Sequence, residues 1–203
     1  MIRNSSRGFA IVGIGSSAGG PAALERLFAG LPTDVPASFF LSQHMPNGFT
    51  GRLAERLSSL SNLRVSEAYH GCIARAGEAL IAPGGHNMEI LRGGLVGIER
   101  VSDAITPTPS IDVMMKSIAH AYGPKSVGVL LTGMLHDGVE GMKAIKESGG
   151  VTMAQDEASS LVYGMPKAAL DAGVVDIVVN IFDMSARIAN VVQTVLARSS
   201  ADE

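Results

Sequence analysis

Five short apolar runs, at residues 9–14, 37–42, 126–131, 151–155 and 175–179, are rich in branched or aromatic residues, and stretches of helical periodicity lie between them. No other feature restricts the fold as strongly. An alternation of this kind predicts an α/β fold, a doubly wound and mostly parallel sheet with helices on both faces. Leu24, Leu27, Phe28 and Leu31 follow helical spacing after Pro21, which suits a first turn because its missing N–H has no partner there. Ile111, Met114, Met115, Ile118 and Tyr122 form a second stripe, opened by Ser110 and stopped by Gly123-Pro124. Val139, Met142 and Ile145 form a third, closed by Gly149-Gly150, and Met184, Ile188, Val191, Val192 and Val195 form the last. Between Cys72 and Arg100 the rhythm breaks into "EALIAP", "NMEIL" and "LVGIER". The last two flank Arg92-Gly93-Gly94 and read as a β-hairpin added to the parallel sheet.

Composition removes several function classes. A chain of 203 residues, 46% hydrophobic, is long enough to bury a sizeable core as one domain. Its 16 basic and 19 acidic residues are spread along the sequence with no basic stripe, so nucleic acid is not an expected partner. Cys72 is alone, which rules out an intramolecular disulfide and suits a reducing cytoplasm. No apolar run approaches the roughly 18 residues of a membrane span, so a soluble protein without membrane insertion is expected. The five histidines form no compact zinc spacing such as H-E-x-x-H, and no metal site is expected.

Ligands of open α/β sheets bind outside the carboxyl ends of the strands. Ser16-Ser17 follows the first run, "SQHMP" with His44 follows the second, and "TGMLHDG" with Asp137 follows the run at 126–131. A serine, a histidine and an aspartate at one sheet edge are the parts of a nucleophilic hydrolase: imidazole takes the hydroxyl proton, carboxylate fixes its tautomer, and backbone N–H groups receive the oxyanion. Each residue also has a plainer explanation. His44 fits an ordinary loop histidine, and Asp137-Gly138-Val139-Glu140 reads as the start of the third helix with Asp137 as its cap. Gly13-x-Gly15-x-x-Ala18 matches the dinucleotide fingerprint, which makes a dinucleotide- or phosphate-binding protein using residues 13–20 the alternative. That fingerprint wants an acidic residue at the end of the second strand, where Ser42-Gln43-His44 stands, and Asp34 lies in the loop before it. These residues do not choose between Ser16 and Ser17.

The ordered segments "IGSSAGG", "QHMPNGFTGRLAERL", "GEALIAPGGHNMEI", "PSIDVMMKSIA", "GVLLTGMLHDGVEGM" and "AQDEASSLVYGMPKAAL" together resemble the catalytic domain of the CheB-type chemotaxis protein-glutamate methylesterases. The resemblance runs over nearly the whole chain and implies a catalytic domain at 9–198 between short tails at 1–8 and 199–203. It implies Ser17 as nucleophile, His44 as general base, Asp137 as the orienting acid and the Met134 N–H in the oxyanion hole. It further implies a cytoplasmic serine hydrolase without cofactor, acting on γ-glutamyl methyl esters of methyl-accepting chemotaxis receptors and deamidating receptor glutamines. Three departures stand out. Ala18 occupies a position where the family commonly has threonine, and Leu135-His136 stands where Gly-Asn is frequent. The family also usually carries an N-terminal receiver domain, whereas eight residues precede the first apolar run here. An unregulated single-domain enzyme, control by a regulatory partner, or an excised piece are the resulting expectations, and a weakly active receptor-docking module is a further alternative.

Overall fold

In a computed structural model, which describes residues 8–101 and 107–199, the elements in chain order are β1 (Ala10–Ser16), α1 (Gly20–Gly30), β2 (Ala37–Gln43), α2 (Thr50–Leu60), β3 (Arg64–Glu67), β4 (Glu78–Ile81), β5 (His86–Ile90), β6 (Val96–Arg100), α3 (Ile111–Tyr122), β7 (Ser126–Leu130), α4 (Val139–Glu147), β8 (Val151–Gln155), α5 (Met165–Asp171), β9 (Ile177–Val179) and α6 (Met184–Ser199). Residues 1–7 and 200–203 of the expected tails lie outside the described residues. Seven strands pair in parallel in the order β3-β4-β2-β1-β7-β8-β9. From β1 the chain adds β2, sets β3 at that edge and inserts β4 between the two, then crosses over to β7 and builds outward on the other side. The crevice between β1 and β7 is therefore the topological switch point of the sheet.

Period-two alternation along the strands separates two apolar cores. Phe39 and Leu41 of β2 pack with Leu24, Phe28, Leu57 and Ile188 of α1, α2 and α6. Phe40 points the other way, into the layer of Met114, Ile118, Met142 and Met165 from α3, α4 and α5. The hairpin forms as expected between β5 and β6, but it is a separate antiparallel sheet rather than an extension of the main one. Its apolar residues Met88, Ile90 and Val96 bury beside α3, and the Ile90 N–H donates to Ser117 Oγ at 2.9 Å. "EALI" is not part of that excursion. It is β4, paired on both edges by β3 and β2, so it offers the hairpin no free edge.

Gly13 and Gly15 lie inside β1, in register with Gly128 and Leu130 of β7. Their missing side chains admit the helix layer: a methyl group at Gly13 would stand 2.8 Å from Ile118 Cδ1, one at Gly15 2.9 Å from Ile111 Cδ1, and one at Gly128 2.8 Å from Met142 Sδ. The first two glycines of the apparent fingerprint are thus occupied in strand pairing and helix packing, not in an open phosphate loop. A Gly15→Ala variant, in which the new methyl pushes directly on Ile111 at the start of α3, is expected to lose about 1–3 kcal/mol in urea unfolding by overpacking.

Candidate active site

Ser16 and Ser17, adjacent in sequence, meet different fates because successive residues at a strand end face opposite ways. Ser16 is 1% exposed, and its Oγ donates to Gln43 Oε1 at 2.6 Å. Ser17 faces the crevice, with its Oγ 3.1 Å from His44 Nδ1. The opposite ring nitrogen, His44 Nε2, is 2.8 Å from Asp137 Oδ2. An ionised carboxylate can only accept, so Nε2 carries the ring hydrogen and Nδ1 presents its lone pair to the serine hydroxyl. The His44 and Asp137 side chains are 12% and 14% exposed, sheltered yet not sealed from solvent.

Asp137 does cap a helix, but not the one that follows it. Its Oδ2 accepts from the Ile111 N–H at 2.8 Å, and its Oδ1 from the Asp112 N–H at 3.1 Å and from Ser110 Oγ at 3.3 Å. All three donors belong to the start of α3. Asp112 returns the service: its Oδ1 accepts from the N–H groups of Gly138 and Gly141 at 3.0 and 2.7 Å, at the start of α4. Two helix N-termini thereby exchange carboxylates, each favourable at the positive end of the other helix's dipole. The sequence suggests local capping because Asp137 immediately precedes α4, whereas the close approach of α3 to α4 makes the crosswise arrangement possible.

The two carboxyls are tuned in opposite directions. Burial works against ionisation of Asp137, but hydrogen bonds from His44 and from the Ile111 and Asp112 N–H groups outweigh it and hold its carboxyl below the usual range. Burial pushes Asp112 up, with the neighbouring Asp137 charge adding to it against the N–H donors of Gly141 and Gly138.

Sequence reasoning missed the residues that hold these groups. Gln43, buried at the end of β2, donates through Nε2 to the carbonyls of both Ser17 and His44, at 2.9 and 3.0 Å. Gln155, buried at the end of β8, accepts from the Thr132 N–H at 2.9 Å. Thr132 Oγ1 donates to the Ala18 carbonyl at 2.9 Å and accepts from the Val162 N–H at 2.9 Å. Asn87 of the hairpin accepts from the Ser110 N–H at 2.9 Å and so anchors the residue that touches Asp137. A glutamine closing an apolar strand was the available signal, since a polar side chain entering the core must find partners.

Gly133 passes directly over the serine: a methyl group on it would lie 2.8 Å from Ser17 Cβ. Its N–H donates to the Val162 carbonyl, and its own carbonyl accepts from Gly164 and Met165. The next N–H, that of Met134, has no acceptor among the described residues. His136 is exposed beside the crevice, whereas His70 and His86 bond to backbone in and beside the hairpin. Among the described residues no group of three or more histidine, cysteine, aspartate or glutamate side chains is disposed to hold a metal ion.

The exchanged carboxylates make two measurable differences. Asp112→Asn keeps an acceptor oxygen while removing a charge that burial disfavours, so its unfolding free energy at neutral pH should equal or exceed that of the wild type, while Asp112→Ala should lose about 1–2 kcal/mol. Asp137→Asn should be less stable than the wild type at neutral pH. A carboxyl with a lower pKa folded than unfolded stabilises fully above the unfolded value of about 3.9, and loses this contribution as the pH falls through the folded value. The gap between wild type and Asp137→Asn in chemical unfolding should therefore close in strong acid, and a gap unchanged there counts against the ionised cap.

Comparison with known proteins agrees with this architecture. The family model described as CheB methylesterase matches residues 12–188. A Moorella thermoacetica protein named protein-glutamate methylesterase/protein-glutamine glutaminase is 48% identical over 189 residues, covering 91% of this chain and 45% of that protein. A Geobacter sulfurreducens protein of the same name, numbered 3, is 47% identical, covering 88% of this chain and 49% of its own length. The chain spans about half the length of the curated relatives it matches. The crystal structure of the Thermotoga maritima CheB methylesterase catalytic domain superposes with a TM-score of 0.85 at 37% identity, covering 91% of this chain and 99% of that one. In sequence and in fold, this chain belongs to the CheB methylesterase family.

Proposed function

We propose that this protein is a cytoplasmic serine hydrolase that demethylates γ-glutamyl methyl esters on the cytoplasmic helices of chemoreceptors, releasing methanol, and that deamidates receptor glutamines at the same site. The observation that carries this reading is the relay from Ser17 Oγ to His44 Nδ1 at 3.1 Å and from His44 Nε2 to Asp137 Oδ2 at 2.8 Å. The names of the relatives support the substrate class.

In this mechanism Ser17 Oγ attacks the ester carbonyl while His44 Nδ1 takes its proton. Asp137 holds the ring through Nε2–H and stabilises the imidazolium that forms. The negative charge developing on the carbonyl oxygen is met by the Met134 N–H, which has no acceptor among the described residues. Collapse of the tetrahedral species breaks the bond to the methoxy group, which leaves as methanol with the proton from His44. The acyl-enzyme that remains is an ester of Ser17. Water, deprotonated by the same imidazole nitrogen, then attacks it, and Ser17 recovers its proton as the glutamate departs. With a glutamine side chain, ammonia replaces methanol as the leaving group and the later steps are unchanged.

Methanol release from a methylated receptor cytoplasmic fragment tests the assignment. Wild type and Ser16→Ala should turn over, although removing the Ser16 bond to Gln43 should cost Ser16→Ala some stability, and Ser17→Ala should lose kcat by a factor on the order of 10^4 or more. Turnover surviving in Ser17→Ala would remove the serine from the mechanism, and no turnover in any of the three would remove the methylesterase reading.

A further inference from the structure

Leu135 has φ +67°, the only positive value at a non-glycine among the described residues. A side chain in the left-handed region crowds the following carbonyl, and glycine would occupy the same backbone without that cost. Leucine is a costly choice here unless its side chain does something, yet that side chain is 64% exposed and finds little packing within the protein. Its neighbours are similar: Met134 is 57% and Leu161 77% exposed. The two segments bearing these side chains are clamped together by the bonds of Gly133 to Val162, Gly164 and Met165. Both border the serine. A methyl group at Gly19, two residues after Ser17, would stand 2.7 Å from Leu161 Cβ, and Gly133 lies over Ser17 itself.

Strain kept at an exposed residue beside a reaction centre points to an external contact. We propose that Leu135, with Met134 and Leu161, forms an apolar lip that fixes substrate choice by receiving an apolar side chain of the helix that carries the glutamyl ester. The occupant is an amphipathic α-helix, because residues three or four positions from a given residue lie on the same face, about 5–6 Å away. An ester presented to Ser17 then brings an apolar neighbour one turn along the helix to the lip. This inference rests on the receptor-methylesterase reading above and narrows it to glutamates with an apolar residue at that spacing.

The test is binding rather than turnover, with Ser17→Ala as the parent so that the ester survives. The affinity of the parent for a methylated receptor cytoplasmic fragment is compared by calorimetry with the same protein carrying Leu135→Gly or Leu135→Met. Leu135→Gly should weaken binding about tenfold, as expected for the loss of a buried leucine contact, with a thermal midpoint no lower than that of the parent. Leu135→Met, which keeps an apolar side chain, should retain the affinity. Equal affinity for Leu135→Gly overturns the lip alone, and so does a drop of its midpoint by several degrees, which would mean that Leu135 packs internally. A parent that does not bind the fragment overturns the lip together with the receptor reading, and methanol release by the wild type separates that case from a failure of the catalytic assignment.

Discussion

The Asp137 carboxylate accepts simultaneously from an imidazole and from the first turn of a helix distant in sequence, and the geometry around Ser17 depends on that double engagement. A carboxylate left without donors in so sheltered a place would be strongly unfavourable. Here both oxygens are occupied, and the positive end of α3 favours the ionised form. The consequence reaches His44, because the plane of its ring follows the carboxylate to which Nε2 is bound. Asp112 reciprocates toward α4, so the loop bearing Asp137 is held at both of its attachments. Stability of the helix layer and alignment of the relay are consequently one problem, solved by the same four residues, Ser110, Asp112, Asp137 and His44.

That solution requires α3 to lie close against β1 and β7, and the glycines supply the room. Gly13, Gly15 and Gly128 leave the sheet face flat where Ile111, Ile118 and Met142 rest on it. A pattern that looks like a nucleotide loop therefore serves helix docking, with the site formed just beyond it at the switch point of the sheet. The hairpin reinforces α3 from outside through Asn87 and Ser117. Two buried glutamines at the ends of β2 and β8 fasten the loops of the sheet edge, Gln43 from the His44 side and Gln155 from the Thr132 side. Their amides donate and accept at once, which lets one side chain hold two loops in register.

Much of this was legible without coordinates. The five apolar runs mark five of the seven parallel strands, and the helical stripes mark α1, α3, α4 and α6. The strands missed by that alternation are β3 and β4: both are only four residues long, and β4 sat in a stretch dominated by the hairpin pattern. The stripe methionines Met114, Met115, Met142 and Met184 are buried, as their helical spacing implies. Ser17, His44 and Asp137 follow three parallel strands, and a parallel sheet brings such positions to one edge whatever lies between them.

Local sequence therefore determined the strand and helix periods and, through them, which residues emerge at the carboxyl edge of the sheet, because hydrophobic periodicity acts over a few residues at a time. It did not determine which of two adjacent serines faces the crevice, which helix Asp137 caps, or that Leu135 is held in a left-handed conformation. Those outcomes depend on groups 25 or more positions apart, as in the bond from Ile111 to Asp137, 26 residues away. A hydrogen-bond partner that distant is selected by the packing of whole elements, and only the tertiary structure decides it.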